Sequence, residues 1–194
     1  TPTLVVSREV TYSGDSAKAL IFGPDAMRTD ERRAYASPWL LEWWQMQLQE
    51  RSLDTSATRA AEVIAAYRSS AADVRKMVDA GARILAGTDA GSVLVYPGFS
   101  LHEELELLVH DANLSPREVL WSATLGPAAF AGLGERLGRI QSGQIADLVV
   151  LDANPLDDIR NTRRIFAVVQ NGRLFDRRRL DSLLRGVRAS VGGH

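Results

Sequence analysis

The sequence predicts an α/β chain. Residues 80–91, Ala-Gly-Ala-Arg-Ile-Leu-Ala-Gly-Thr-Asp-Ala-Gly, read as a helix end, a short buried strand and a carboxylate set between glycines. Ser37-Pro38 and Ser115-Pro116 each write a helix start, with serine as the cap and proline at the first helical position. Near the end of the chain, Asn171-Gly172 stands between Val168-Val169 and Leu174-Phe175, a strong short hairpin signal.

In chain order, Thr1 to Val6 is a short β-prone run in which Pro2 suits only a strand's first residue. Arg8 and Tyr12 follow in what reads as a surface loop. Residues 14–36 are polar, with a break at Gly23-Pro24. After Ser37, the residues Trp39, Leu40, Trp43, Trp44 and Met46 form a broad apolar face that reads as packing rather than a cofactor box. Residues 52–80 are helical in spacing, with Ser69-Ser70 as a possible break between two helices. Gly81 suits the left-handed position just past a helix. Ile84-Leu85-Ala86 is short and apolar enough for a strand buried on both faces.

Thr88-Asp89 then stands at the carboxyl end of that strand, where α/β proteins place their sites. Gly87 and Gly91 keep bulk away from Asp89. Its carboxylate reads either as a metal ligand or general base, or as an Asx-turn group capping the next loop. A glycine- and proline-containing loop over 92–100 leads to a helix whose buried face is Leu101, Leu105, Leu108 and Val109. His102 lies in the first turn of that helix, as a pocket residue or as a helix-start histidine with local hydrogen bonds. His110 reads as solvated and His194 as carrying no site.

Ser115 and Glu118 have the spacing of a capping box. Residues 146–151 form an aliphatic, β-branched strand, Asn154-Pro155-Leu156 a turn, and residues 159–169 hold a second strand. Asp147 and Asp152 rival Asp89 as carboxylates but read as structural. Arg177-Arg178-Arg179 reads as solvated surface, and the last residues as a frayed tail.

The bulk composition narrows the function classes. The chain has 194 residues, a formal charge of −1, 45% hydrophobic and 24% charged residues, and no cysteine. Near-neutral charge gives no electrostatic footprint for nucleic acid or an anionic membrane, and no apolar run approaches the ~20 residues of a membrane span. Without cysteine there is no disulfide, and a metal here has only oxygen and nitrogen ligands. Localisation is left open, with a lean toward the cytoplasm.

Gly87-Thr88-Asp89-Ala90-Gly91, Ser100-Leu101-His102-Glu103-Glu104-Leu105-Glu106-Leu107-Leu108 and Gly143-Gln144-Ile145-Ala146-Asp147-Leu148-Val149-Val150-Leu151-Asp152 together resemble the metal-dependent amidohydrolase superfamily, in particular its imidazolonepropionase-like and prolidase-like branch. Thr124-Leu125-Gly126-Pro127-Ala128-Ala129 also resembles a family segment, with Gly126 where asparagine is common. The resemblance implies a (β/α)₈ barrel plus a small β-sandwich. A complete barrel needs roughly 250 residues, so the expectation is a C-terminal portion. In that division 1–134 holds the last two barrel strands with their helices, 135–180 holds strands of the sandwich, and 181–194 is a tail.

The resemblance assigns Asp89 as the catalytic carboxylate, a ligand to a divalent metal (zinc first) that also takes a proton from the attacking water. It places Thr88, Gly91 and His102 on the substrate side. The family's His-x-His pair, bridging lysine and later histidines have no match here; the lysines are Lys18 and Lys76. The chain alone is therefore expected to bind metal weakly or not at all. The implied activity is hydrolysis of an amide, peptide or cyclic amide C–N bond, with a small amide or dipeptide as substrate. The implied partner is the N-terminal barrel portion, or a second copy through open strand edges. The competing expectation is a non-catalytic fragment or split-enzyme half that serves as an assembly module.

Overall fold

The predicted caps organise the helices in the computed structural model, which describes residues 1–9, 11, 16, 23, 30–50 and 57–192. Tyr12, Lys18, Pro24 and His194, named above, lie outside the described residues, as do residues 52–56 of the expected helix. The elements are α1 (Leu4–Glu9), a 3-10 turn (Glu31–Tyr35), α2 (Pro38–Glu50), α3 (Ala57–Asp79), α4 (Ser100–His110), α5 (Pro116–Ala123) and α6 (Leu125–Phe130). They are followed by β1 (Leu148–Leu151), a second 3-10 turn (Ile159–Arg163), β2 (Ile165–Gln170), β3 (Arg173–Asp176) and α7 (Arg177–Gly192).

The Ser37 hydroxyl accepts the Leu40 N–H at 3.2 Å, opening α2. The Ser115–Glu118 capping box forms in both directions at the start of α5. At the end of α3, Gly81 has φ +88, and the N–H groups of Gly81 and Ala82 close onto the carbonyls of Val78 and Met77, both at 2.9 Å. This is the two-bond glycine stop that a left-handed residue permits.

Helix α3 runs unbroken through Ser69-Ser70. Both serines are exposed, and with no glycine or proline in the helix nothing interrupts its hydrogen bonds. In α2, Leu40, Trp44 and Leu48 are buried at helical spacing, whereas Trp39 and Trp43 stack on each other in solvent contact. The apolar face is thus narrower than the sequence suggests. Leu105, Leu107 and Leu108 are the buried face of α4, and Leu101 is exposed.

Two expected barrel strands take other forms. Residues 4–9 are helical because the buried Glu104 carboxylate accepts the Val5 N–H at 2.8 Å, while the Thr3 carbonyl accepts those of Val6 and Ser7. A carboxylate at a helix N-terminus satisfies donors that would otherwise need a strand partner. Ile84 to Ala86 joins no ladder; the Ala86 N–H instead donates to the Ser122 carbonyl at 3.0 Å. A doubly buried strand is stable only between hydrogen-bonded neighbours, and no parallel neighbour occurs among the described residues.

The described strands form one antiparallel sheet in the order β1-β2-β3. Asn171 and Gly172 both have positive φ, +49 and +72, as a two-residue hairpin requires. They pair Gln170 with Arg173 in register. The Asp147 carboxylate accepts the Asn171 N–H at 2.8 Å and so ties the hairpin tip to the start of β1. The second strand is shorter than expected, since residues 159–163 form the 3-10 turn. A second sheet that would complete a sandwich is not found among the described residues. The expected tail is instead helix α7, extending to Gly192.

The main core gathers α1, α3, α4 and α5 around Leu4, Val74, Leu105, Leu108 and Val119. A second core sits under α2, where Trp44 and Leu48 meet Val93, Leu94 and Tyr96.

Candidate active site

The glycine-flanked carboxylate lies in a tight turn held from behind. Asp89 has φ +50, a left-handed conformation that aspartate tolerates better than most residues. Its carbonyl accepts the Ser92 N–H at 3.2 Å, and its Oδ2 accepts the Ser92 hydroxyl at 3.1 Å. The side chain is exposed, which leaves Oδ1 directed at no described partner.

Gly91, at φ +116, turns the chain and offers its carbonyl to the Trp44 indole N–H at 2.9 Å. Trp44 is fully buried and packs edge-on against Tyr96, with ring centroids 5.0 Å apart. The Arg32 guanidinium lies over the Tyr96 ring, 4.6 Å from its centroid. Burial pushes the Tyr96 phenol up, with Asp30 adding to the effect, so it stays neutral. On the other side of the turn, a Cβ at Gly87 would lie 2.5 Å from the Thr1 Cγ2, so Thr1 packs directly on that glycine. Thr88 is half-buried between them. The structure adds tasks that the sequence reading did not assign: Gly87 admits Thr1, and Gly91, at positive φ, turns the backbone that offers its carbonyl to Trp44.

His102 sits elsewhere. Its Nδ1 is 3.0 Å from the Thr162 Oγ1, and that hydroxyl donates to the Ile159 carbonyl at 2.9 Å. With its one proton committed, Thr162 accepts from His102, which assigns the neutral tautomer with Nδ1 protonated. Burial, reinforced by Arg163, pushes the imidazole pKa down. The contact joins α4 to the 3-10 turn, and no described contact joins His102 to Asp89.

An ionic cluster escaped the sequence reading. Arg8, read as plain surface loop, lies on α1 and reaches Glu103 at 3.3 Å, and Arg32 reaches the same carboxylate at 2.5 Å. The Ser100 hydroxyl donates to Glu103 at 2.8 Å. Glu9, 4% exposed, is pushed up to about 7, chiefly by burial, against the opposing pull of Arg8. No local pattern joins Arg8 and Arg32 to Glu103; the signal beside it was Glu104, one residue before Leu105 and four before Leu108, on the buried face of α4.

Among the described residues no group of three or more His, Asp or Glu side chains could hold a metal ion. Asp89 offers one carboxylate with one oxygen already engaged. A catalytic zinc takes three protein ligands, so the described residues do not by themselves fit a resident metal.

Residues 35–174 match the amidohydrolase family. The chain is 38% identical over 89 residues to an imidazolonepropionase of Thermoplasma acidophilum, covering 45% of this chain and 21% of that protein. It is 38% identical over 104 residues to an imidazolonepropionase of Streptomyces griseus, covering 52% and 25%. Among solved structures, it superposes on a bottromycin amidohydrolase with a TM-score of 0.74 at 26% identity, over 98% of this chain and 40% of that one. It also superposes on a putative prolidase from Bifidobacterium longum with a TM-score of 0.53 at 36% identity, over 66% and 32%. The chain thus spans about a fifth to a quarter of the two curated relatives' length. With the family match running from the second core through the hairpin, the chain belongs to the amidohydrolase family.

Proposed function

We propose that this chain is the C-terminal portion of a hydrolase that cleaves an amide, peptide or cyclic amide C–N bond, with Asp89 as its proton-transfer carboxylate. The observation that carries the reading is the Gly87–Ser92 turn. It holds an exposed carboxylate on a backbone pinned by the buried Trp44, inside a family match. Imidazolonepropionases and prolidases among the relatives support a small cyclic amide or dipeptide as substrate.

Hydrolysis forms a bond from the water oxygen to the carbonyl carbon and breaks the C–N bond. Asp89 Oδ1 accepts the proton that water loses and returns it to the departing nitrogen, while Ser92 orients the carboxylate through Oδ2. Thr88 and Gly91 flank the carboxylate on the substrate side, and His102, which touches Thr162 and not Asp89, is a substrate residue in this reading for a substrate that extends to α4. The family resemblance adds a divalent metal, zinc first. Among the described residues Asp89 alone would contribute a ligand to it, and the remaining ligands would have to come from other polypeptide. Residues 1–134 then form the end of the barrel, and 135–180 contribute the sheet of the small sandwich.

The test is co-expression with a polypeptide carrying the N-terminal part of a matching amidohydrolase, assayed on a dipeptide and on imidazolone propionate. Asp89→Asn in the reconstituted protein lowers turnover at least about 100-fold without changing the circular dichroism spectrum. Unchanged turnover in that variant removes the assignment.

The second reading, a non-catalytic assembly module, has its own support. Val149, Phe166 and Leu174 on the sheet are 57%, 58% and 60% exposed, which is apolar surface suited to a partner. The partner is the N-terminal barrel portion or a second copy of the chain. A compact monomer on size-exclusion chromatography, with no shift on adding the N-terminal part, counts against it.

A further inference from the structure

A cleft of about 590 Å³ lies between the end of α3, the start of the 82–89 segment, α5, α6 and the loop over 134–139. None of residues 87–92 lines it. Its apolar wall includes Leu114, Trp121 and Leu125, and three arginines stand on it: Arg83, Arg117 and Arg139. We infer that this cleft binds a small organic anion with a flat apolar body, such as an aromatic carboxylate.

The charge pattern argues for an anion. Two carboxylates also line the cleft, Glu118 and Glu135. Glu118 is already engaged: its Oε2 accepts the Ser115 N–H and hydroxyl, both at 2.7 Å, and Arg75 at 3.3 Å. Arg83, Arg117 and Arg139 have no ion pair among the described residues. The lining thus holds three arginines without an ion pair, one engaged carboxylate and Glu135. A planar fork with unused donors matches a carboxylate in bidentate geometry.

The shape argues for a flat body. Trp121 reaches the cleft because Gly126 has no side chain: a Cβ there would lie 2.7 Å from the Trp121 Cζ3 and 2.9 Å from its carbonyl oxygen. A ring against Trp121, with its acid on the arginine rim, uses both features, and the volume is that of an ordinary small-ligand site. This inference does not depend on the role given to Asp89.

The test titrates the full chain with 2-naphthoate and, in parallel, with uncharged 2-naphthalenemethanol, following tryptophan fluorescence and heat. Naphthoate binds about tenfold more tightly than the alcohol, and added salt narrows the difference. R117Q/R139Q lowers naphthoate affinity to that of the alcohol, whereas R178Q/R185Q on α7 leaves it unchanged. Trp121→Phe removes the fluorescence response while heat is still released. Equal binding of both probes by the unsubstituted chain, no binding of naphthoate, or the same loss in both arginine pairs overturns the inference. The comparison of the two probes needs no variant to fold.

Discussion

Glu104 Oε2 accepts the backbone N–H of Val5 at 2.8 Å, across 99 residues of sequence, inside the main core. The bond docks α1 onto α4 and decides that residues 4–9 coil rather than extend. Glu104→Ala leaves a buried donor without its acceptor and opens space beside Leu105 and Leu108. The expected loss is about 3 kcal/mol of unfolding free energy, read from urea denaturation. Glu104→Gln, which keeps an acceptor oxygen, loses less.

Stability depends on pH through Glu9. Its carboxyl is pushed up to about 7 from an ordinary 4.5, so between those values the folded chain binds more protons than the unfolded one. Unfolding free energy therefore falls as pH rises through that window, by roughly 3 kcal/mol for this group. Glu104, raised by burial, acts in the same direction, and His102, lowered by burial, in the opposite one. Comparing urea midpoints of Glu9→Gln and the unsubstituted chain from pH 4.5 to 8 isolates the contribution of Glu9, and the variant shows the flatter profile.

Gly126 is a packing position. Adding a methyl group puts a Cβ against both the ring and the backbone carbonyl of Trp121, and the backbone contact cannot be relieved by a rotamer change. Gly126→Ala costs about 1–3 kcal/mol, visible as a lowered melting temperature. Gly126→Asn, the residue common in the family, costs at least as much in this chain.

The Asp89 turn depends on Trp44. Trp44→Phe keeps most of the ring packing on Tyr96 but leaves the Gly91 carbonyl without its donor. The expected cost is about 1–2 kcal/mol, with faster amide exchange at residues 90–92 than at α4. Unchanged exchange there shows that the turn holds itself.

What the sequence determined by itself was local. Ser37, Gly81, Ser115 and Asn171-Gly172 each act within a few residues, through a hydroxyl on a nearby N–H or a backbone that glycine and asparagine tolerate, so caps, stops and the hairpin are legible from composition and order. The family motif around Asp89 was legible for the same reason. Strand formation at 1–6 and 84–86 was not, because a strand exists only with a neighbour, and tertiary contacts gave those backbones to Glu104 and Ser122 instead. Tertiary structure alone also brought Trp44 to Gly91, Thr1 to Gly87 and three arginines to the cleft that Trp121 lines, since long-range packing joins positions that no local pattern relates.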